Sequence, residues 1–231
     1  MTTTTRILTT ESVEQTCREC GSAFELAYPT LARFVFVCPT CSDRHAEQDQ
    51  RAAVARSENL RTSAWQAICP PTFRDTQPHR LPMPSKLQTV LAWQYGPRGL
   101  LLHGATGQGK SRCAWQLLKR EFFAGRSVRA LDCTVAFDYA ERFTKSCADA
   151  ALWIRQLSQV DLLLLDDVFK ARLTDSLEQA LFAVVNARME AKRPLIVTCN
   201  DVGETLVNRM SEDRGAALVR RLRECCQPIA F

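Results

Sequence analysis

A glycine-rich stretch near the middle of the chain is the feature that most constrains its fold. It follows the apolar run Leu100–Leu102 and reads Gly104-Ala105-Thr106-Gly107-Gln108-Gly109-Lys110-Ser111. The glycines let backbone N–H groups wrap around a phosphate, while Lys110 offers a positive charge and Ser111 a hydroxyl for Mg²⁺. This pattern predicts a nucleotide-binding phosphate loop between a strand and a helix. A glycine-rich turn without a ligand is the alternative at this point.

Apolar runs and helical patterns alternate around this loop. Strands are expected at Leu100–His103, Val128–Leu131, Asp161–Asp166, Leu195–Thr198 and Pro228–Phe231. Helices are expected between them, at Lys110–Ala124, at Ala148–Leu157, from Asp175 onward and at Asp213–Arg223. Such alternation is typical of a parallel sheet with helices on both faces. The sequence therefore predicts a three-layer α/β domain with the phosphate loop at the carboxyl edge of the sheet.

Two acids end one of the apolar strands. Asp166 and Asp167 directly follow Leu162–Leu165. A buried strand would carry Asp166 to the carboxyl edge of the sheet, where its carboxylate can hold Mg²⁺ opposite Ser111. Asp167, one residue later, is then placed to polarise an attacking water. Two solvated acids at a strand end are the alternative interpretation, and the upstream phosphate loop favours the metal role.

Asn200 ends the next apolar strand in the same way. Its amide can hydrogen-bond a terminal phosphate or the attacking water without adding negative charge. Asn also favours turns, so a structural role before Asp201 is the alternative. A polar-tipped strand after the acidic one is typical of phosphate-loop ATPases that insert a strand between the loop strand and the acidic strand.

A basic segment near the end of the sequence contains Arg220 and Arg221. Many phosphate-loop ATPases take an arginine from a neighbouring subunit, where it offsets the charge developing on the transferred phosphoryl group. Either arginine is a candidate for that role. A basic helix that faces solvent or DNA is an equally good interpretation.

Taken together, these motifs resemble the AAA+ ATPases of the DnaC/DnaI helicase-loader and IstB transposition-helper group. The resemblance covers roughly residues 65–231 and includes Cys69-Pro70-Pro71-Thr72-Phe73 before the fold. It implies an AAA+ core without a C-terminal helical lid and an ATPase that is slow without partners. It also implies ATP and Mg²⁺ at Lys110 and Ser111, the metal at Asp166, a sensor at Asn200 and a trans-acting finger at Arg221, hence self-association.

Four of the eleven cysteines form two closely spaced pairs near the start of the chain. Cys17 and Cys20, then Cys38 and Cys41, are separated by seventeen residues. Two such knuckles can close a tetrahedral, structural Zn²⁺ site, and redox-active pairs are the alternative. The segments Phe24–Leu26 and Arg33–Val37 are the expected strands of a zinc ribbon. The other seven cysteines show no disulfide spacing.

The residues alone do not determine whether this ribbon binds single-stranded DNA or another protein. Phe34 and Phe36, with Arg33 and Arg44, are candidates to stack on and pair with single-stranded DNA. Strand aromatics are more often core, however, and residues 1–50 carry four arginines against seven acids. The resemblance to loaders with a zinc-binding N-terminal domain implies a replicative helicase as the partner, and we favour protein binding.

Three regions are predicted: a zinc ribbon over 13–48, a helical linker over 49–66 and the ATPase domain over 67–231. No apolar run is long enough to cross a membrane and no signal peptide is evident, so a cytoplasmic protein is expected. The leading functional hypothesis is an ATP-dependent helicase loader. The alternatives are a transposition helper that binds duplex DNA and a zinc-bearing adaptor with a nucleotide switch.

Overall fold

The computed structural model describes residues 12–133, 147–168, 175–200 and 212–231. The chain divides into two compact units, with the boundary between Thr62 and Ser63. Residues of the first helix, α1 (Pro39–Ile68), belong to both. Among the described residues, no helix has both the length and the apolar character needed to span a membrane.

The first unit is built around a short antiparallel hairpin. Strands β1 (Val13–Thr16) and β2 (Ala23–Leu26) pair with Val13 opposite Leu26. A 3-10 helix follows at Pro29–Arg33, and α1 begins at Pro39. The residues of this unit that the structure describes as buried are cysteines, with Phe24 and Val37 packed against them.

The predicted second strand of the ribbon, Arg33–Val37, is wrong. Arg33 ends the 3-10 helix, and the Val35 N–H donates to the Leu31 carbonyl. Pro29 has a fixed φ that suits the first turn of a helix, which favours the 3-10 turn at this point. The aromatic and β-branched run has strand propensity, but the fold turns it so that Cys38 meets Cys17.

The second unit contains a five-stranded parallel sheet with the order β4-β5-β6-β3-β7. The strands are β3 (Gly99–His103), β4 (Val128–Asp132), β5 (Leu162–Val168), β6 (Leu195–Cys199) and β7 (Cys226–Ala230). As the sequence predicts, β6 lies between the phosphate-loop strand β3 and the acidic strand β5. Because the strands are parallel, their carboxyl ends meet at one edge.

Helices cover both faces of this sheet. They are α2 (Pro71–Arg74), α3 (Pro84–Leu91), α4 (Lys110–Phe123), α5 (Cys147–Gln159), α6 (Asp175–Glu190) and α7 (Glu212–Cys225). Successive residues of a strand point to opposite faces, so Leu163 and Leu165 of β5 join one apolar cluster and Leu162 and Leu164 the other. The predicted three-layer α/β architecture is confirmed.

Candidate functional site

The phosphate loop leaves the carboxyl end of β3 and enters the first turn of α4. Gly104, Gly107 and Gly109 have φ angles of +135°, +86° and +91°, a region that glycine enters without steric cost. At Gly104 a Cβ atom would also lie 2.2 Å from the Phe231 carbonyl oxygen, so no side chain fits. The loop therefore needs these glycines, and it presents the positive end of α4 to an anion.

This loop forms one wall of a pocket at the carboxyl edge of the sheet. The lining residues are Phe73, Thr106, Gly107, Gly109, Lys110, Ser111, Arg112, Asp167 and Asn200. The structure thus brings together predicted site residues from three elements: the loop, the end of β5 and the end of β6. Phe73 and Arg112 also line the pocket and were not predicted as site residues.

Lys110 is buried at the base of the loop. Its Nζ donates to the carbonyl oxygens of Gly104, at 2.7 Å, and Ala105, at 2.8 Å. Burial lowers the pKa of Lys110, and the negative charges of Asp167 and Asp166 oppose that shift. A phosphate in the loop would supply the opposite charge that this ammonium group favours.

Asp166 is held from two sides in the core, with 6% of its surface exposed. The Thr198 hydroxyl donates to Oδ1 at 2.5 Å, and the Trp115 indole N–H donates to Oδ2 at 3.2 Å. Burial raises the pKa of Asp166, while hydrogen bonds from Thr198, Ser111 and Trp115 lower it. A carboxylate beside a hydroxyl is a hard-oxygen donor set, which fits Mg²⁺.

Asp167 has a positive φ, which few non-glycine residues adopt. Its φ is +53°, and its N–H donates to the Thr198 hydroxyl oxygen at 2.8 Å. The pairing of β5 with β6 shifts register between Leu165 and Val168. Non-glycine residues rarely adopt this conformation, and those that do cluster at functional sites.

Arg220 and Arg221 lie on α7 in different environments. The Arg221 guanidinium carbon lies 4.5 Å from the centre of the Phe182 ring on α6, and its Nε has no hydrogen-bond partner within the described structure. Arg220 is exposed, with its Nε 3.6 Å from a carboxylate oxygen of Glu224. Neither arginine is among the residues that line the pocket of its own chain.

The four paired cysteines come together in the first unit. The sulfur atoms of Cys17, Cys20, Cys38 and Cys41 all lie within 4.8 Å of one another. The Cys38 N–H donates to the Cys17 sulfur at 3.3 Å. Hydrogen bonds from the backbone of Cys20 and Cys38 lower the pKa of Cys17 to about 6, which favours the thiolate. Four convergent thiols fit a closed tetrahedral zinc site.

Sequence reasoning missed the residues that hold the acids in place. Thr198 stood in a predicted strand, with no role assigned to its hydroxyl. Trp115 lies four residues after Ser111, and this spacing places both on the same side of α4. That spacing was the available signal for Trp115, but it does not by itself distinguish a donor to Asp166 from a core residue.

No protein-family model matches the chain. A crystal structure of DnaI is 19% identical, with a TM-score of 0.51, over 68% of this chain and 86% of that one. The DnaC helicase loader is 17% identical, with a TM-score of 0.51, over 73% of this chain and 98% of that one. The replication initiator DnaA, bound to AMPPCP and single-stranded DNA, is 18% identical with a TM-score of 0.50.

The DnaA match covers 69% of this chain and 48% of that chain, so this chain spans about half of it. At these identities the likeness concerns the fold. The sheet-containing unit therefore shares the fold of DnaI and the DnaC helicase loader, and the four-cysteine cluster is consistent with a zinc ribbon beside it in the sequence.

Proposed function

We propose that the chain is an ATP-dependent DNA-replication protein that acts as a helicase loader. In this proposal, ATP binding and hydrolysis are coupled to its assembly on a replicative helicase and on single-stranded DNA. The observation that carries it is the pocket, where the phosphate loop, Asp167 and Asn200 meet at one edge of the sheet. Support for the loader role comes from a fold shared with DnaI and the DnaC helicase loader.

The phosphate loop is the proposed ATP site. Backbone N–H groups between Gly104 and Gly109 would surround the phosphates, with Thr106 and Gln108 in the same turn, and the Lys110 ammonium would exchange its carbonyl partners for phosphate oxygens. Ser111 and Asp166 are the residues that would hold Mg²⁺. When bound, this ion neutralises charge on the phosphates.

Asp167 and Asn200 are the proposed groups for hydrolysis. Both residues line the pocket. They lie at the ends of β5 and β6, far from the phosphate loop in the sequence. A carboxylate in this position can orient an attacking water and accept its proton. The Asn200 amide can donate to the terminal phosphate, which stabilises added negative charge.

Arg221 is the proposed finger that one subunit supplies to the pocket of another. It lies on α7, outside the lining of its own pocket, and its guanidinium packs on the ring of Phe182. We expect Arg221→Ala to reduce ATP turnover about 100-fold or more while nucleotide affinity is kept. Arg220→Ala is the matched control, because Arg220 is exposed and pairs with Glu224.

Mixing two inactive variants tests whether this arginine acts between subunits. Arg221→Ala keeps an intact pocket, and Lys110→Ala keeps an intact arginine, so a mixed assembly regains some complete sites. Turnover that rises on mixing supports the trans role. Turnover that stays at the level of the separate variants, although they co-assemble, contradicts it.

The cysteine cluster is proposed to bind one structural Zn²⁺ and to present a surface to the helicase. Four thiolates leave no open position on the metal for catalysis. Between the two cysteine pairs in the sequence, the side chains of Tyr28, Leu31 and Phe34 are exposed, with Phe34 at 77%. Exposed apolar groups of this kind are typical of protein-binding surfaces.

The deciding experiment is retention of the full chain by a hexameric replicative helicase of the same organism, with ATP, ADP or no nucleotide. We expect retention that depends on ATP and is lost in Lys110→Ala but kept in Lys119→Ala, which lies on the same helix outside the pocket. Absent helicase binding with tight duplex binding would indicate a transposition helper. Helicase binding without any ATP turnover would indicate an adaptor.

A further inference from the structure

Trp115 is buried in α4, the helix that follows the phosphate loop, and its one polar atom points at Asp166 of β5. Its indole is 3% exposed, and its N–H donates to Asp166 Oδ2 at 3.2 Å. The other oxygen of Asp166 accepts from Thr198 of β6 at 2.5 Å. The two oxygens of one carboxylate are therefore held by donors from two different elements.

This arrangement fixes the plane of the carboxylate. A carboxylate offers about four acceptor positions, so two such bonds leave lone pairs for a cation. The last side-chain torsion of aspartate, χ2, has a broad distribution. Without donors on both oxygens, the carboxylate would therefore sample several orientations. The donors also stabilise a charge that burial alone would disfavour.

The indole is itself held in one orientation by aromatic packing. Its ring stacks on Phe73, with centroids 5.7 Å apart and planes 13° apart, and meets the edge of Trp65 at 6.1 Å. Phe73 lines the pocket. The Trp115 N–H therefore has little freedom to leave Asp166, and its position is linked to the pocket wall.

We propose that Trp115 is a positioning residue whose indole N–H, together with the Thr198 hydroxyl, holds Asp166 in the orientation that receives a divalent cation beside bound nucleotide. The inference rests on the proposed nucleotide-binding function. Trp115 itself does not contact the ion in this scheme. Residues that orient a metal ligand through a hydrogen bond typically change metal affinity about 10- to 100-fold when they are replaced.

The test compares variants of the full chain that each remove one of the two donors to Asp166. Trp115→Phe keeps an aromatic ring to stack on Phe73 and removes the N–H. Thr198→Val removes the hydroxyl, and with it the acceptor of the Asp167 N–H, in a side chain of similar shape, and Thr198→Ser restores both bonds. Trp93→Phe is the matched control, because its indole N–H is also bonded, to the Arg98 carbonyl at 2.9 Å, outside the pocket.

Two affinities are measured for each variant. The first is binding of a fluorescent ATP analogue in EDTA, which reports the loop without a cation. The second is ATP-dependent binding of Mn²⁺, followed by the loss of its free electron-paramagnetic-resonance signal. We expect Trp115→Phe and Thr198→Val to weaken Mn²⁺ binding about tenfold or more and to leave ATP binding in EDTA unchanged. Thr198→Ser and Trp93→Phe should resemble the unmodified chain.

Wild-type Mn²⁺ affinity in both Trp115→Phe and Thr198→Val would overturn the proposal. If Trp115→Phe does not fold, as judged by its thermal unfolding, the comparison of Thr198→Val with Thr198→Ser decides the outcome. Failure of the nucleotide function is a separate result, since the unmodified chain would then bind no ATP analogue. If Trp115→Phe loses ATP binding in EDTA and Mn²⁺ binding to the same extent, Trp115 only maintains the packing of the site. That result would also reject the positioning role.

Discussion

The two units of this chain differ in the contacts that stabilise them. In the first unit the buried core consists of Cys17, Cys38 and Cys41, with Phe24 and Val37 partly buried beside them. In the second unit two apolar clusters cover the faces of a five-stranded sheet, and β5 alone buries four consecutive leucines. The first unit depends on one group of thiols, whereas the second distributes its stability over many contacts.

This difference follows from size and surface. A short segment cannot bury enough apolar area to offset the conformational entropy it loses on folding, so it needs a metal or another cross-link. A parallel sheet covered on both faces has no such need. One chemical change should therefore abolish the first unit, while single changes in the second should each cost only part of its stability.

The largest expected effect is on removal of the thiol cluster. We expect Cys38→Ser, or chelation of the proposed zinc, to abolish amide-exchange protection over residues 12–38, because structural zinc sites supply the folding free energy of small modules. All four tryptophans, Trp65, Trp93, Trp115 and Trp153, lie in the second unit, so their fluorescence should not change.

Cys225→Ser is the matched control for that change. Cys225 is a half-buried thiol on α7, outside the cluster, and its loss should leave both zinc content and exchange protection intact. A finding that Cys38→Ser keeps one zinc per chain and the same amide-exchange protection would contradict the dependence of the first unit on its thiol cluster.

The next effect is on a single buried charge in the sheet unit. Arg188 of α6 is 0% exposed and satisfies carbonyl groups at the end of α5 and before two strands. Its guanidinium donates to the carbonyls of Leu157 at 2.8 Å, Val160 at 2.8 Å, Asp161 at 3.0 Å and Pro194 at 2.7 Å. Carbonyl groups at a helix end have no partner within the helix, so a buried cation is favourable there.

We expect Arg188→Met to lower the free energy of unfolding of the second unit by about 3 kcal/mol or more. Each buried carbonyl left without a donor costs about 1–3 kcal/mol. Urea unfolding followed by tryptophan fluorescence measures the change. Arg220→Met, which removes an exposed pair with Glu224, should cost no more than about 1 kcal/mol. If both substitutions lower the free energy of unfolding equally, the burial of Arg188 does not increase its contribution to stability.

Features whose chemistry fixes residue type and spacing could be predicted from the sequence. The phosphate loop, Asp167 near the end of β5 and Asn200 after β6 line one pocket, and the four paired cysteines converge. Each of these requires particular atoms at a strand end or a tight turn. A parallel sheet then brings the strand ends together without further information from the sequence.

Features that depend on contacts between distant elements could not be predicted. The run Arg33–Val37 has strand propensity, yet the requirement to bring Cys38 to Cys17 makes it turn. Arg188 follows Leu181 by seven residues and Val184 by four, so helical spacing places it on the buried face, but only packing reveals the carbonyls around it. Trp115 is typical of a core position, and its bond to Asp166 depends on the order of β5 and β6 in the sheet.

The smallest expected effect is on a link between the starts of β4 and β5. The carboxylate of Asp161 accepts hydrogen bonds from the Ser127 N–H, at 2.8 Å, and from its hydroxyl, at 2.7 Å. The Ser127 hydroxyl and then its backbone N–H lower the pKa of Asp161. A carboxyl with a lowered pKa in the folded state contributes stability above its unfolded pKa of about 3.9 and loses it as the pH falls through the folded value.

We therefore expect Asp161→Asn to destabilise the second unit by about 1 kcal/mol at pH 7, and less as the pH falls below about 4. Urea unfolding at a series of pH values measures this difference. Ser127→Ala removes the hydroxyl partner, so the cost of Asp161→Asn should be smaller and less dependent on pH in that background. A cost as large as that of Arg188→Met would show that the sheet unit, like the cysteine unit, depends on a few critical groups.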